Sequence, residues 1–256
     1  MPQREPQMPH RPIFEVCVDT PAGLAAAVAG GADRIELCAA LSAHGVTPSP
    51  GFMALAAESG CPTYALIRPR PGDYVYSPAD LDLMRREIDA ARAAGLAGVA
   101  IGANRPSGEL DADLIQALVR QADGLGLTLD RAFDLVPDFS AALETAIALG
   151  FERILTSGGA PSALAGAGRI AELVAQAEGR IAIMAGSGVT PANVAELLAR
   201  TAAPEVHGSC STATAVGSGG DHVEVAKALG FVSGALRDTD AATVAEVRKI
   251  LELLGR

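Results

Sequence analysis

The sequence has 256 residues, 49 % of them hydrophobic and 20 % charged, with a formal net charge of -10 and a pI of about 4.9. This length suits one large domain or two small ones, and α/β barrels commonly reach it as a single domain. The acidic balance argues against nucleic acid or an anionic membrane surface as the main partner, and no apolar run approaches the roughly 18 residues of a membrane span.

Residues 1–12, "MPQREPQMPHRP", lack the apolar segment of a signal peptide. We interpret them as a flexible tail ahead of one domain that spans residues 13–256. The four cysteines form no CxxC pair, and no export signal accompanies them. This usage is typical of reduced thiols in a cytoplasmic protein.

Short aliphatic runs alternate along the chain with amphipathic stretches. We predict eight strands, beginning at Phe14, Arg34, Thr63, Gly98, Leu127, Arg153, Arg180 and Glu205. Ser77-Pro78 and Thr190-Pro191 have the pattern of a helix N-cap followed by proline at the first helical position. Three glycines each end a helical pattern just before the next strand, as a C-cap does, at Gly95, Gly124 and Gly150.

Eight repeats of strand and helix predict an α/β fold, a TIM-barrel-like (β/α)8 single domain. A doubly wound open sheet is the main competitor, although no GxGxxG follows the first strand. The least regular part is "STATAVGSGGDH", which we interpret as a loop after strand eight, ahead of a closing helix at "TDAATVAEVRKILELLG".

Side chains alternate along a strand, so the polar residues of each strand can be assigned to one face. In a closed barrel that face is the interior, which opens at the C-terminal mouth. Arg131 has the opposite parity to its neighbour and is the exception. The inward set is Glu15, Cys17, Asp19, Glu36, Cys38, Arg68, Thr128, Asp130, Asp134, Ser157, His207 and Ser209.

This polar ring has two interpretations. Buried ion pairs can fix the register of a barrel without any chemistry. Alternatively, carboxylates, an arginine and a histidine at the face where barrel enzymes act form a functional site, which we favour. In either case we expect the carboxylate of Asp130 to lie within hydrogen-bonding reach of Arg68 or His207.

A glycine-containing turn follows the predicted seventh strand, in "IMAGSGVTPANVAELL". Gly186, Ser187 and Gly188 let the backbone approach a ligand closely, and we expect a helix to begin near Thr190 with unpaired N–H groups. Gly208 and Ser209 supply a second turn after strand eight. Barrels commonly bind phosphate after these two strands, so we predict an anion or phosphate site, with a plain glycine-rich turn as the alternative.

Seven ordered motifs, from "GADRIELCAAL" through "GVTPSPG", "IRPRPGDYVYS", "RAFD", "ALGFERILTSG" and "IMAGSGV" to "EVHGS", give the chain a resemblance to the CutC family of copper homeostasis proteins. The resemblance runs from about Phe14 to about Ser209. It implies a TIM-barrel-like fold and a cytoplasmic protein that forms a homo-oligomer. It also implies copper binding or trafficking. Asp130 stands where the family usually has histidine.

Cu(I) prefers thiolates, and the resemblance points to Cys17 and Cys38 as its ligands. The two cysteines occupy matching positions on adjacent strands, about 5 Å apart, on the face assigned to the interior. The alternative is that both are small apolar core residues. In this interpretation the partner is a metal ion.

An enzyme of unknown reaction is the second hypothesis, with a small anionic and possibly phosphorylated molecule as its substrate. Glu36, Asp130 or His207 would act as general acid and base, and Arg68 would hold the substrate anion. A hard divalent ion such as Mg²⁺ or Mn²⁺ is a further alternative to copper, since oxygen ligands suit it. Its ligands would be Glu15, Glu36, Asp130 and His207.

Overall fold

A computed structural model describes residues 11–214, 225–226, 228–230 and 236–255 of the chain. Eight parallel strands form a closed barrel in sequence order, with β1 pairing with both β2 and β8. This closure confirms the (β/α)8 prediction and excludes an open doubly wound sheet. The strands are β1 Ile13–Val18, β2 Arg34–Leu37, β3 Thr63–Leu66, β4 Gly98–Ile101, β5 Gly126–Leu129, β6 Arg153–Thr156, β7 Ala182–Ala185 and β8 Glu205–Gly208.

Eight α-helices occur within the described part of the chain. They are α1 Pro21–Ala29, α2 Pro50–Ala57, α3 Pro78–Ala93, α4 Ala112–Gln121, α5 Phe139–Ala148, α6 Ala167–Ala177, α7 Val194–Thr201 and α8 Ala241–Leu254. Short 3-10 helices span Leu41–Ala43 and Arg131–Leu135. No helix in the described ranges is both long enough and apolar enough to cross a membrane.

Several predicted helix ends are confirmed. Ser77 caps α3 in a reciprocal capping box with Asp80, and proline follows it at the first turn. Gly95, Gly124 and Gly150 have φ angles of 79°, 82° and 84°, the left-handed conformation that glycine adopts without steric cost.

The predicted helix start near Thr190 is wrong, since α7 begins at Val194. The side chain of Asn193 accepts a hydrogen bond from the Thr190 N–H at 2.8 Å and donates one to the Gly188 carbonyl at 2.8 Å. These two bonds close a turn around Pro191, which lies before the helix rather than in its first turn.

The segment after β8 also differs from its prediction. Its first four residues form a strand, β9 Ser211–Thr214, that pairs antiparallel with β10 Leu236–Thr239. A partner so distant in sequence leaves no periodic signal. The remaining residues of "STATAVGSGGDH" lie outside the described residues.

The main apolar core lies between the strands and the surrounding helices. It includes the outward-facing strand residues Val16, Ile35, Ala65, Val99 and Ile154, all of them fully buried. A small separate cluster of Cys17, Cys38, Leu66 and Ala100 packs inside the barrel. The two clusters follow opposite parities along the strands, as predicted.

The barrel interior toward its N-terminal end contains an ion-pair network. The Arg34 guanidinium donates to both Glu15 and Glu205, and Arg153 lies 3.2 Å from Glu205. Both guanidinium groups face the Tyr64 ring, at 5.5 Å and 4.8 Å from its centroid. Charged and aromatic groups therefore fill space that branched aliphatic side chains occupy in many barrels.

Candidate functional site

Three buried side chains with metal-binding atoms meet inside the barrel. The thiol of Cys17, the carboxylate of Glu36 and the imidazole of His207 each offer one atom, and these atoms lie within 4.8 Å of one another. Barrel closure brings them together, because β1 pairs Cys17 with Glu36 on one side and Glu15 with His207 on the other. Nε2 of His207 lies 3.8 Å from the Glu36 carboxylate.

Glu15 orients the imidazole of His207. Its carboxylate lies 2.9 Å from Nδ1, which leaves Nε2 directed toward the other two groups. Burial would raise the pKa of Glu15, but Arg34 and His207 lower it to about 2. Burial would lower the pKa of His207, but Cys17, Glu15 and Glu36 raise it well above its ordinary value. Such a carboxylate–histidine pair commonly supports a metal-binding imidazole.

Cys38 lies beside this group rather than within it. Its thiol donates to the Glu36 carboxylate at 3.6 Å, and burial, with Glu36 and Cys17 nearby, raises its pKa well above the usual range. Burial also raises the pKa of Glu36. The copper pair of Cys17 and Cys38 stays a prediction, as does the alternative that both are apolar core residues.

Asp130 has a different environment from the predicted one. Its Oδ1 accepts the Ala132 N–H at 2.9 Å, while Oδ2 has no hydrogen-bond partner within the described residues. Neither Arg68 nor His207 forms an ion pair or direct hydrogen bond with it in that part of the chain. The expectation of a direct contact is therefore wrong. Burial raises the pKa of Asp130 from 3.8 to about 7.

Arg68 is buried at the mouth, as predicted. Its two Nη atoms donate to the carbonyls of Gly45 and Gly72, each at 2.7 Å, and its guanidinium carbon lies 4.8 Å from the centroid of the Tyr74 ring. Nε has no partner among the described residues. Main-chain oxygens thus hold the guanidinium in place without neutralising its charge.

Asp134 and Ser157 belong to a separate loop network, so their assignment to the ring is wrong. Asp134 accepts from Arg131 Nε at 2.6 Å, from the Thr156 hydroxyl at 2.5 Å and from the Gly159 N–H at 3.0 Å. The chain has already left β5 for the 3-10 helix Arg131–Leu135. Strand parity no longer applies there, which also explains the exceptional position of Arg131.

The predicted anion turn retains free donors. The N–H groups of Ser187 and Gly188 donate to no acceptor among the described residues, and both residues have positive φ angles, 84° and 70°. The Ser187 hydroxyl donates to the Pro161 carbonyl at 3.1 Å, and the Ser209 hydroxyl lies 3.1 Å from that of Ser211. The anion site stays a prediction, carried by the two N–H groups and no longer by a helix starting at Thr190.

Gly188→Val is expected to weaken phosphate binding at this turn by blocking close approach of the anion. Phosphate titration followed by amide chemical shifts measures the effect. Gly60→Val is the matched control, since Gly60 also has a positive φ, 72°, but open space around it. Equal phosphate affinity in wild type and Gly188→Val would contradict the site.

Some residues of the interior and the mouth were missed by the sequence interpretation. Arg34 and Arg153 begin their strands with the same parity as Glu36 and Ser157, so extending each strand by its first residue would have found them. Tyr74, Tyr76 and Asn104 come from loops, where no periodicity marks an inward side chain. The remaining predicted interior residues Asp19 and Thr128 bond the Leu41 N–H and Arg153, respectively.

Comparison with known proteins gives one consistent result. The model of the CutC family matches residues 12–212. A CutC family protein of Caulobacter vibrioides is 58% identical over 245 residues, 96% of this chain and 99% of the relative. One from Sinorhizobium medicae is 55% identical over 246 residues, with 96% and 98% covered.

A crystal structure of a candidate copper homeostasis protein CutC from Streptococcus agalactiae is also similar. It superposes with a TM-score of 0.74 at 30% identity and covers 77% of this chain and 98% of that one. The family match spans the whole barrel, including the strands that carry Cys17, Glu36 and His207. The chain belongs to the CutC family.

Proposed function

We propose that this protein binds Cu(I) inside the barrel mouth and serves in copper homeostasis. The observation that carries the proposal is the buried group of Cys17, Glu36 and His207, whose donor atoms lie within 4.8 Å of one another. The Streptococcus agalactiae relative, described as a candidate copper homeostasis protein, supports the same role.

The donor set fits a soft metal ion. Cu(I) favours sulfur and imidazole nitrogen, and Cys17 and His207 supply one of each, with the Cys38 sulfur beside them. Glu15 would hold the imidazole in place from the second shell, as carboxylates do at many metal sites. A site without solvent access on most sides also protects Cu(I) from oxidation.

A hard divalent ion fits less well. Mg²⁺ and Mn²⁺ require several oxygen ligands, but Glu15 is already engaged by Arg34 and His207. Asp130 is not a member of the donor group. Glu36 is then the one carboxylate of the proposed set within reach, beside a thiol that such ions bind poorly.

The proposal includes a cytoplasmic location and a homo-oligomeric state. All four cysteines are free, which agrees with a reducing compartment. Sedimentation equilibrium of the purified protein tests the oligomeric state, and a single species at the monomer mass would contradict that part.

The double variant Cys17→Ser with Cys38→Ser is expected to lose Cu(I) affinity by about 100-fold or more, because serine oxygen is a poor ligand for a soft ion. Serine is nearly isosteric with cysteine, so the fold should persist. Anaerobic competition titration against bicinchoninate, with a reductant present, measures the affinity.

Cys61→Ser is the matched control, since Cys61 is half-buried and donates to the Ala32 carbonyl, away from the group. Its Cu(I) affinity should equal that of the wild type. Unchanged affinity in the double variant would remove the copper proposal for these two cysteines. X-ray absorption at the copper edge should report both sulfur and imidazole nitrogen ligands.

A further inference from the structure

Buried polar atoms without partners collect at the mouth of the barrel. Within the described residues these are Nε of Arg68, the hydroxyl of Tyr76, Oδ1 of Asn104 and Oδ2 of Asp130. Buried polar groups are hydrogen-bonded in the large majority of cases, so each exception requires an explanation. Arg153 Nε also lacks a hydrogen bond, but it lies 3.2 Å from the Glu205 carboxylate at the other end of the barrel.

The four atoms belong to one continuous patch formed by the segments that follow β3, β4 and β5. The Arg68 guanidinium stacks on Tyr74, whose carbonyl accepts the Asn104 N–H at 2.8 Å. The Asn104 side chain donates to the Ala132 carbonyl at 3.1 Å, and the Ala132 N–H in turn donates to Asp130. Chance surface polarity would not give such a chain of contacts between residues that are 2–3 % exposed, as Arg68, Asn104 and Asp130 are.

The charge of Arg68 indicates what is bound there. Arg68 is a buried cation, and no carboxylate of the described residues lies within 4.0 Å of it. Three carbonyl contacts, to His44, Gly45 and Gly72, hold its Nη atoms and aim the guanidinium, while Nε remains free to donate. A buried charge without a counter-charge is costly, so an anionic group of a ligand is the natural partner.

The other three atoms call for a different group. Oδ1 of Asn104 accepts only, and Oδ2 of Asp130 and the Tyr76 hydroxyl can each accept as well. A ligand that satisfies them must donate hydrogen bonds, as hydroxyl groups do. An alkyl carboxylate without hydroxyls would leave all three acceptors unpaired.

We propose that the barrel mouth binds a small polyhydroxy carboxylic acid, with its carboxylate on Arg68 Nε and its hydroxyls on Asp130, Asn104 and Tyr76. Burial, opposed by Arg68, raises the pKa of Asp130, so Asp130 repels an anionic ligand less than an ordinary aspartate would. None of these four residues belongs to the Cys17–Glu36–His207 group, so the inference does not rest on copper binding.

The test uses metal-free protein with glycerate, erythronate and gluconate as probes, followed by calorimetry and by methyl chemical shifts. Propionate lacks the hydroxyls and glycerol lacks the carboxylate, so they are the matched control molecules. We expect saturable binding of at least one acid at one molecule per chain. Propionate and glycerol should bind at least about tenfold more weakly, since each loses a hydrogen bond that involves a buried charged or acceptor group.

Arg68→Met should weaken binding of the acid by about ten- to hundredfold, because it removes a charge-assisted hydrogen bond. Arg70→Met is the matched control, since Arg70 lies on the same loop but is exposed and pairs with Asp73. Should Arg68→Met fail to fold, Asp130→Leu decides, as it replaces the unpaired oxygens with apolar atoms of similar volume and should also abolish discrimination against propionate.

Three results would overturn the inference: no binding by any of the three acids, equal binding of propionate or glycerol, or equal losses in Arg68→Met and Arg70→Met. The Cys17→Ser, Cys38→Ser variant separates this inference from the copper proposal. It should retain acid binding whether or not it binds copper, so either proposal can fail while the other stands.

Discussion

Asp130→Asn is expected to stabilise the protein at alkaline pH by on the order of 3 kcal/mol. Burial holds the folded-state pKa of Asp130 near 7, above the 3.8 of an unperturbed aspartate. The folded protein therefore binds a proton that the unfolded chain has already lost, and wild-type stability falls as pH rises from about 4 to about 7. Asparagine keeps the acceptor for the Ala132 N–H and never ionises, so it avoids this loss.

Urea unfolding of wild type and variant at about pH 5 and about pH 8.5 measures the effect. The stabilisation should be largest at the higher pH and small at the lower one. Asp134→Asn is the matched control, because Asp134 pairs with Arg131 and accepts three other hydrogen bonds. That change should destabilise at both pH values. An equal destabilisation by Asp130→Asn at both pH values would instead indicate a structural ion pair.

Arg34→Met is expected to destabilise the protein by about 3 to 5 kcal/mol. The Arg34 guanidinium pairs with Glu15 and Glu205 inside the barrel, and both carboxylates are buried. Methionine fills similar space but leaves two negative charges facing each other without their shared cation. The loss thus comes mainly from uncompensated charge rather than from a cavity.

Urea unfolding at neutral pH gives the change in the free energy of unfolding. Arg86→Met is the control, since the Arg86–Asp82 pair is exposed on α3 and such pairs contribute well under 1 kcal/mol. Adding Glu205→Gln to Arg34→Met should recover part of the stability. A loss below about 1 kcal/mol for Arg34→Met would show that water or another cation compensates the carboxylates.

Local physical chemistry made much of the fold readable in the sequence. Alternating strands and helices, the capping box at Ser77 and the positive-φ glycines before β4, β5 and β6 depend on neighbours a few residues away. Strand parity likewise placed Cys17, Glu36, Arg68, Asp130 and His207 in the interior, because side-chain direction along a strand follows a period of two.

The same parity failed where the chain left a strand. Asp134 and Ser157 were assigned to the mouth ring, but the 3-10 helix after β5 turns Asp134 toward the β6 loop. Asn193 likewise displaces the start of α7 by bonding back to the turn. Such competition between side chain and backbone is decided by three-dimensional geometry that composition does not encode.

What the sequence by itself determined is which residue types lie on which face of which element. The tertiary structure decided which of them meet. Glu15 and His207 are separated by 192 positions, and only closure of β8 onto β1 brings their side chains to 2.9 Å. In the same way, the unpaired atoms of Arg68, Asn104 and Asp130 become one patch only because three successive strands end at the same face of the barrel, with their following loops packed side by side.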